Sequence, residues 1–367
     1  MLIAVTGGTG FLGAHTVVAL LRQGHRVRLL ARDPARVANA LAPLGADPST
    51  VDVVAGDVTA PEAAGRLVAG ADALLHAAGV YTFDSRRRAE LARVNVHGTE
   101  VVLDAARRAG TGRIVHVSTV GALYPTREPS IGPASPVGEP REAYLASKAA
   151  AERIARGHRD AGAPVTITYP PALLGPHDPH LGDQNARLRD LLRGLMPIWP
   201  SRGLPIGDVR DSADLHARLL GGTPEPAGGA YFGPGHFLAT REYLATVRAA
   251  TGRRLPAVFL PPRSMYPVGR GADLLQHVWP WHIPAEYGAI YVCATAVPVD
   301  DAAPRADVPA RPALETVHDT VAWLHTTGRL TDRQAGIAAG PATAFTASNS
   351  DAGPGAPGAA EIEEALS

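Results

Sequence analysis

The stretch Leu2-Ile-Ala-Val-Thr-Gly-Gly-Thr-Gly-Phe-Leu-Gly13 decides how the rest of the chain is read. Leu2 to Thr6 reads as a strand and Phe11 to Gln23 as a helix. Between them, glycines at 7, 10 and 13 follow the pattern Gly-x-x-Gly-x-x-Gly. That spacing provides a tight turn, close backbone approach to a pyrophosphate, and close packing of helix on strand. The helix N-terminus then aims its free N–H groups at the anion. Many loops contain three glycines, so the turn gains its weight from the strands and helices around it.

Beyond Gln23 the chain alternates. Arg26 to Ala31 reads as a strand, Pro34 to Ala42 as a helix, Val51 to Ala55 as a strand and Pro61 to Ala69 as a helix. Ala73 to His76 is a short strand and Ala89 to Ala109 a long helix. Arg113 to Ser118, Ala143 to Gly157 and Val165 to Tyr169 continue as strand, helix and strand. Strands separated by helices of this length imply βαβ units. The expected fold is α/β: a Rossmann-type doubly wound parallel sheet at 1–171, which would bind a dinucleotide. A smaller substrate-binding lobe follows at 172–330, with returns to the sheet. Residues 331–367, rich in Ala, Gly, Pro and Ser, are expected to form a disordered tail.

Composition narrows the function. The 367 residues carry 35 Lys+Arg against 35 Asp+Glu, so nothing suggests a nucleic-acid or anionic-membrane partner. The one cysteine, Cys293, excludes an intramolecular disulfide and suits a reducing compartment. The N-terminus lacks a signal peptide's charged and apolar regions, and no apolar run is long enough to span a bilayer. A cytoplasmic protein is expected. His177, Asp178 and His180 lack a completing ligand, so no metal is expected.

Lys148 is the one lysine; the other 34 of the 35 cationic residues (35 − 1) are arginine. It lies four residues after Tyr144, a spacing that puts both side chains on one helix face. There an ammonium would favour ionised tyrosine and lower its pKa, making the phenol usable as acid or base. A surface helix lysine is the competing reading, and the spacing by itself leaves the two level. Arg113-Ile-Val-His-Val-Ser-Thr119 carries hydroxyls at the strand end where open α/β sheets place ligands. Thr119 and Ser118 precede Tyr144 by 25 and 26 residues.

These residues resemble the extended short-chain dehydrogenase/reductase family, which includes NAD-dependent epimerases and dehydratases. The resemblance covers roughly residues 1 to 330. Thr6 to Gly13 matches the cofactor loop, implying contacts from Gly7, Thr9, Gly10, Phe11, Leu12 and Gly13. Asp57 and Val58 look like the adenine contact. Ala77, Ala78 and Gly79 are similar to the segment under the cofactor. Asn95 resembles the asparagine that supports the active site. Pro170 opens a stretch similar to the nicotinamide-side loop, and Asp208-Val-Arg-Asp211 resembles a later structural motif. The resemblance implies Tyr144 as general acid or base, Lys148 on the nicotinamide ribose, and Thr119 as the hydroxyl on the substrate oxygen, with Ser118 as fallback. Tyr124, with no lysine after it, is read as packing or pocket lining.

The acidic residue that usually ends the second strand of an NAD enzyme falls at Ala31, and Arg32 comes directly after it. A cation there suits a 2′-phosphate, so NADP is favoured. NAD remains if Asp33 is the ribose ligand. Val120 and Gly121 stand where sugar-nucleotide dehydratases of the family have an Asp-Glu pair. The chain is closer to the dihydroflavonol-reductase-like and 3-beta-hydroxysteroid-dehydrogenase-like branches. The expectation is a reductase interconverting a ketone and a secondary alcohol on a small or medium apolar metabolite. Leu195 to Trp199 and Trp279-Pro-Trp281 would supply apolar surface. Alternatives are a sugar-nucleotide epimerase and a non-catalytic NADP-binding sensor. A homodimer through the helices at 89–109 and 143–157 is also expected, as in many family members.

Overall fold

The computed structural model describes residues 1–222, 229–276 and 287–340. Six strands alternate with helices through the first half. They are β1 (Leu2–Thr6), β2 (Arg26–Ala31), β3 (Asp52–Ala55), β4 (Ala73–His76), β5 (Arg113–Val117) and β6 (Val165–Tyr169). The second half adds β7 (Ala172–Leu174), β8 (Ile198–Pro200), β9 (Gly203–Asp208), β10 (Ala230–Phe232), β11 (His236–Ala239) and β12 (Val258–Leu260). The helices begin with α1 (Phe11–Arg22), α2 (Ala35–Leu41), α3 (Pro61–Val68), α4 (Arg88–Leu91), α5 (Gly98–Arg108) and α6 (Ala143–Asp160). They continue with α7 (Asp183–Leu192), α8 (Val209–Gly221), α9 (Thr240–Thr251), α10 (Pro262–Gln276), α11 (Tyr287–Thr295), α12 (Ala313–Thr326) and α13 (Asp332–Ala335).

A seven-stranded parallel sheet runs in the order β10-β6-β5-β4-β1-β2-β3. Apart from the exposed edge strand β3, its strands are buried on both faces, which is why they read as continuous apolar runs rather than as alternation. In β1, Ile3 and Val5 pack with Val17 and Leu20 of α1 and Leu215 of α8. Ala4 belongs to the opposite cluster, with Val102 and Leu103 of α5. The strand order reverses at β1, between β2 and β4. The crevice beyond the C-terminal ends of β1 and β4 is therefore the natural ligand site.

The second lobe has its own core, built from Leu188, Leu192, Tyr243, Leu244, Val247, Val317, Val321 and Leu324. Two small sheets, β11-β9-β7 and β12-β8, complete it. The chain returns to the first lobe through α8 and through β10, which pairs with β6. Residues 331–340, expected to open a disordered tail, instead form α13 and a 3-10 turn at Gly336–Ala339. Ala335 and Ala338 are buried in the second-lobe core, so apolar burial overrides the composition. The remaining tail residues, and Trp279 and Trp281, lie outside the described residues. Trp199 packs against Tyr243 with ring centroids 5.8 Å apart, while Leu195 and Ile198 are exposed. Among the described residues, no helix is long and apolar enough to cross a membrane.

Candidate active site

The glycine turn is shaped by what a side chain would strike. Gly7 has φ +78°, and a Cβ there would lie 2.6 Å from the backbone of Ala77 and Ala78. A Cβ on Gly13 would fall 2.1 Å from the Gly7 carbonyl oxygen. The Gly10 N–H closes the turn onto that same oxygen at 2.9 Å. Gly10 caps α1 without a side chain, which leaves the helix's first N–H groups facing the crevice. Thr9, Phe11 and Leu12 are half-buried around the turn. The Phe11 ring lies 3.5 Å from the Cβ position of Gly175, so the phosphate loop meets the loop that Pro170 opens. A cradle that even a methyl group would obstruct fits the pyrophosphate of a dinucleotide.

Beneath it runs a buried hydrogen-bond chain. Thr99 Oγ1 donates to the Asn95 carbonyl at 2.6 Å and so accepts from His76 Nε2, 3.0 Å away. His76 Nδ1 is then the acceptor for the Thr6 hydroxyl at 2.8 Å, and Thr6 Oγ1 accepts the Ala78 N–H at 3.2 Å. Burial, with Lys148 adding to it, pushes His76 down to about 3, so the ring is neutral. Gly79 fits against Asn95, whose Oδ1 would lie 3.3 Å from a Cβ there. Asn95 bonds both backbone groups of Val80 and the Ser147 hydroxyl of α6 at 2.7–3.0 Å. It sits in a π-helical turn, Ala92–His97, inside the segment expected to be one regular helix. Such turns are frequent at functional sites.

At the far end of the crevice, β2 ends on buried Ala31, and Arg32 is exposed beside it. Asp33 is used locally: its carboxylate accepts the Ala35 N–H at 3.1 Å and pairs with Arg36 at 3.5 Å. Asp57 Oδ1 accepts from the Thr59 N–H at 3.0 Å and hydroxyl at 2.8 Å, with Arg93 3.4 Å away. Burial works to raise the Asp57 pKa, but the Thr59 bonds, Arg93 and Arg32 hold it below the usual range. Val58 packs on Gly98.

At the near end, Lys148 Nζ donates to the Val117 carbonyl at 2.8 Å. Burial lowers its amine to about 8, against the upward pull of Glu152. Tyr144 stands one turn earlier on α6, whose N-terminus Glu142 caps by accepting the Tyr144 and Leu145 N–H groups. The phenol does not show the lowered pKa expected from Lys148. Burial raises it well above 10, and Tyr81, Glu142 and Asp183 add to the rise. The physical reason is that burial of the phenol itself disfavours its charged form.

The two candidate hydroxyls part company because neighbouring residues in extended backbone face opposite sides. The Ser118 hydroxyl is buried and donates to Glu152 Oε2. Thr119 is half-buried, within 3.4 Å of the Pro170 carbonyl, and caps the 3-10 turn Val120–Leu123. Tyr124 is fully buried and donates to the Val297 carbonyl at 2.8 Å, so it packs.

Two features were not found in the sequence. One is an aromatic group around Tyr144. Tyr81 and Phe83 meet it edge-on at 4.7 and 5.9 Å, and the Tyr81 hydroxyl accepts from Gln184 of α7 at 2.8 Å. The other is the buried Glu152. The Asp208-to-Asp211 motif ties the lobes together: Arg210 bonds Asp208 and Asp319 at 2.7 and 2.8 Å, and Arg311 bonds Asp211 at 2.7 Å. Asp178 serves its own loop, accepting the Gly182 N–H at 2.7 Å and Asn185 Nδ2 at 3.1 Å.

A parallel sheet with a glycine cradle at its switch point, and a tyrosine–lysine pair one strand away, is the architecture of a nucleotide-dependent short-chain dehydrogenase/reductase. The chain belongs to the NAD dependent epimerase/dehydratase family, whose model matches residues 3–221, and is an enzyme of the extended type. It is 30% identical over 278 residues to sterol demethylase protein B of Methylococcus capsulatus, covering 75% of this chain and 82% of the relative. A putative dihydroflavonol 4-reductase of Synechocystis is 32% identical, over 70% of this chain and 74% of its own length. Among solved structures, UDP-glucose 4-epimerase from Bifidobacterium longum in complex with NAD+ and UDP superposes with a TM-score of 0.66 at 17% identity. That match covers 90% of this chain and 99% of the epimerase. It speaks to the fold.

Proposed function

We propose that this enzyme is an NADP(H)-dependent reductase that interconverts a ketone and a secondary alcohol on a small or medium apolar metabolite. The observation that carries the reading lies just after Thr119. A Cβ on Gly121 would fall 2.6 Å from Leu145 Cδ2, and Val120 is buried. Neither Val120 nor Gly121 carries an acid or a base, so the second acid–base pair that a dehydration needs is missing, which leaves Tyr144 to move the proton. Arg32 beside Ala31, with Asp33 committed to its own turn, supports the 2′-phosphate and hence NADP over NAD.

Gly7, Gly10 and Gly13 would hold the pyrophosphate, Asp57 and Val58 the adenine, and Lys148 the nicotinamide ribose. Thr9, Phe11, Leu12, Ala77, Ala78, Gly79 and Pro170 would line the cofactor's path. A bound nicotinamide supplies the hydride chemistry. Thr119 and Tyr144 would hydrogen-bond the substrate oxygen, where negative charge builds as the carbonyl is reduced. The raised pKa of Tyr144 keeps its proton on at neutral pH, ready for donation to that oxygen. The Lys148 ammonium would stabilise the resulting phenolate.

The test mixes purified enzyme with NADPH or NADH and a panel of apolar ketones. Loss of nicotinamide absorbance, faster with NADPH, is expected. Tightly held NAD that recycles without net consumption would favour an epimerase instead. We also expect a homodimer through the helices at 89–109 and 143–157, and a monomer by sedimentation at micromolar concentration would refute that.

A further inference from the structure

Glu152 is 0% exposed and lies one helical turn beyond Lys148 on α6. Its Oε1 accepts from Arg156 Nη2 at 2.7 Å, Arg156 Nε at 3.0 Å and the Tyr169 hydroxyl at 2.6 Å. Oε2 accepts the Ser118 hydroxyl. Removing a carboxylate from water costs several kcal/mol, repaid only when partners of this quality surround it. If its role were only to pair with Arg156, the bond to Ser118 would be superfluous. That bond reaches the end of β5 one residue beyond Val117, whose carbonyl holds Lys148, and one residue before Thr119. Lys148 and Glu152 thus grip, from the same helix, the last residue of β5 and the residue directly after it.

The groups that face Lys148 come from several elements. His76 on β4 and His116 on β5 stack at 5.4 Å and are kept neutral by burial, with Lys148 itself lowering both. Tyr144 shares its helix, while Arg156 of that helix and Tyr169 of β6 bond Glu152 rather than the lysine. Among the described residues, Glu152 is the group that favours the charged lysine. We propose that Glu152 is a positioning residue: it keeps Lys148 an ammonium and clamps the end of β5 so that Thr119 faces the reacting oxygen. The catalytic half of this proposal rests on the reductase reading above; the coupling between Glu152 and Lys148 does not.

Because Lys148 is the one lysine in the chain, incorporating ε-13C-lysine yields a single side-chain resonance. Its pH titration reports that amine without any turnover. In Glu152→Gln the midpoint should fall by about one pH unit relative to wild type, as expected for losing a charge one helical turn away that Arg156 partly offsets. The alkaline fall of turnover should move down with it. Wild-type and Glu152→Gln enzymes titrating at the same pH would overturn the proposal. A second variant, Ser118→Ala, removes the clamp and leaves the charge, and it keeps the proposal falsifiable if Glu152→Gln fails to fold. It should lower kcat about tenfold while the lysine midpoint and the affinity for NADPH stay at wild-type values. An unchanged kcat would overturn the clamp. If the midpoint shifts in Glu152→Gln but wild type reduces no ketone, the reductase reading fails and the coupling stands.

Discussion

Replacing Lys148 with methionine should abolish turnover and strengthen the fold. Burial depresses the amine from its ordinary 10.5 to about 8. At 1.36 kcal/mol per pKa unit, that gap is a penalty of about 3 kcal/mol on the folded, charged form. Methionine occupies similar space without charge. It forfeits the bond to the Val117 carbonyl, a loss of about 1 kcal/mol, so the net gain is about 2 kcal/mol at pH 7. For a chain of this size that is about 3 °C in Tm. The sign with pH is set by the folded-state pKa lying below the unfolded one. Wild type carries the full penalty below about pH 8 and loses it as pH rises toward 10.5. The advantage of Lys148→Met should therefore be present at pH 7 and nearly gone at pH 10.5. Paired thermal unfolding at the two pH values checks this. A variant less stable than wild type at pH 7, or a gain equal at both, would refute the account of a half-buried, desolvated ammonium.

Lys148→Arg keeps the charge but not a compact ammonium that fits against the Val117 carbonyl, and should lower kcat at least a hundredfold in steady-state assays. Arg32→Ala should weaken binding of 2′,5′-ADP about tenfold or more by calorimetry while leaving AMP unaffected. Equal losses for both ligands would remove Arg32 from 2′-phosphate recognition.

Much of the fold was legible because it depends on local pattern. The glycine turn and the strand-helix alternation lead to the parallel doubly wound sheet found, and the boundaries of β1 to β6 lie within a residue of their expected positions, while β7 to β12 had no such local signal. The misreadings arise where tertiary contacts act. Composition alone could not show that Ala335 and Ala338 would be buried against the second lobe. No periodicity distinguishes the π-turn carrying Asn95 from an ordinary helix. At the site, Ser118 and Thr119 are adjacent hydroxyls just past the end of β5. Choosing between them requires knowing which side α6 packs on. Glu152 offered a signal, an acid one turn after the lone lysine, but its meaning depended on Tyr169 and Ser118 arriving from two strands. The pKa of Tyr144 was misjudged because helical spacing reports proximity and says nothing of burial.

The central claim is that Tyr144 delivers the proton in a nicotinamide-dependent carbonyl reduction. The most direct measurement compares wild type with Tyr144→Phe, using NADPH and a ketone that wild type reduces, with NADPH affinity measured in parallel. The account predicts an unchanged cofactor dissociation constant and a turnover at least about a hundredfold lower, the usual worth of a positioned general acid. Turnover by Tyr144→Phe within a few-fold of wild type would contradict it.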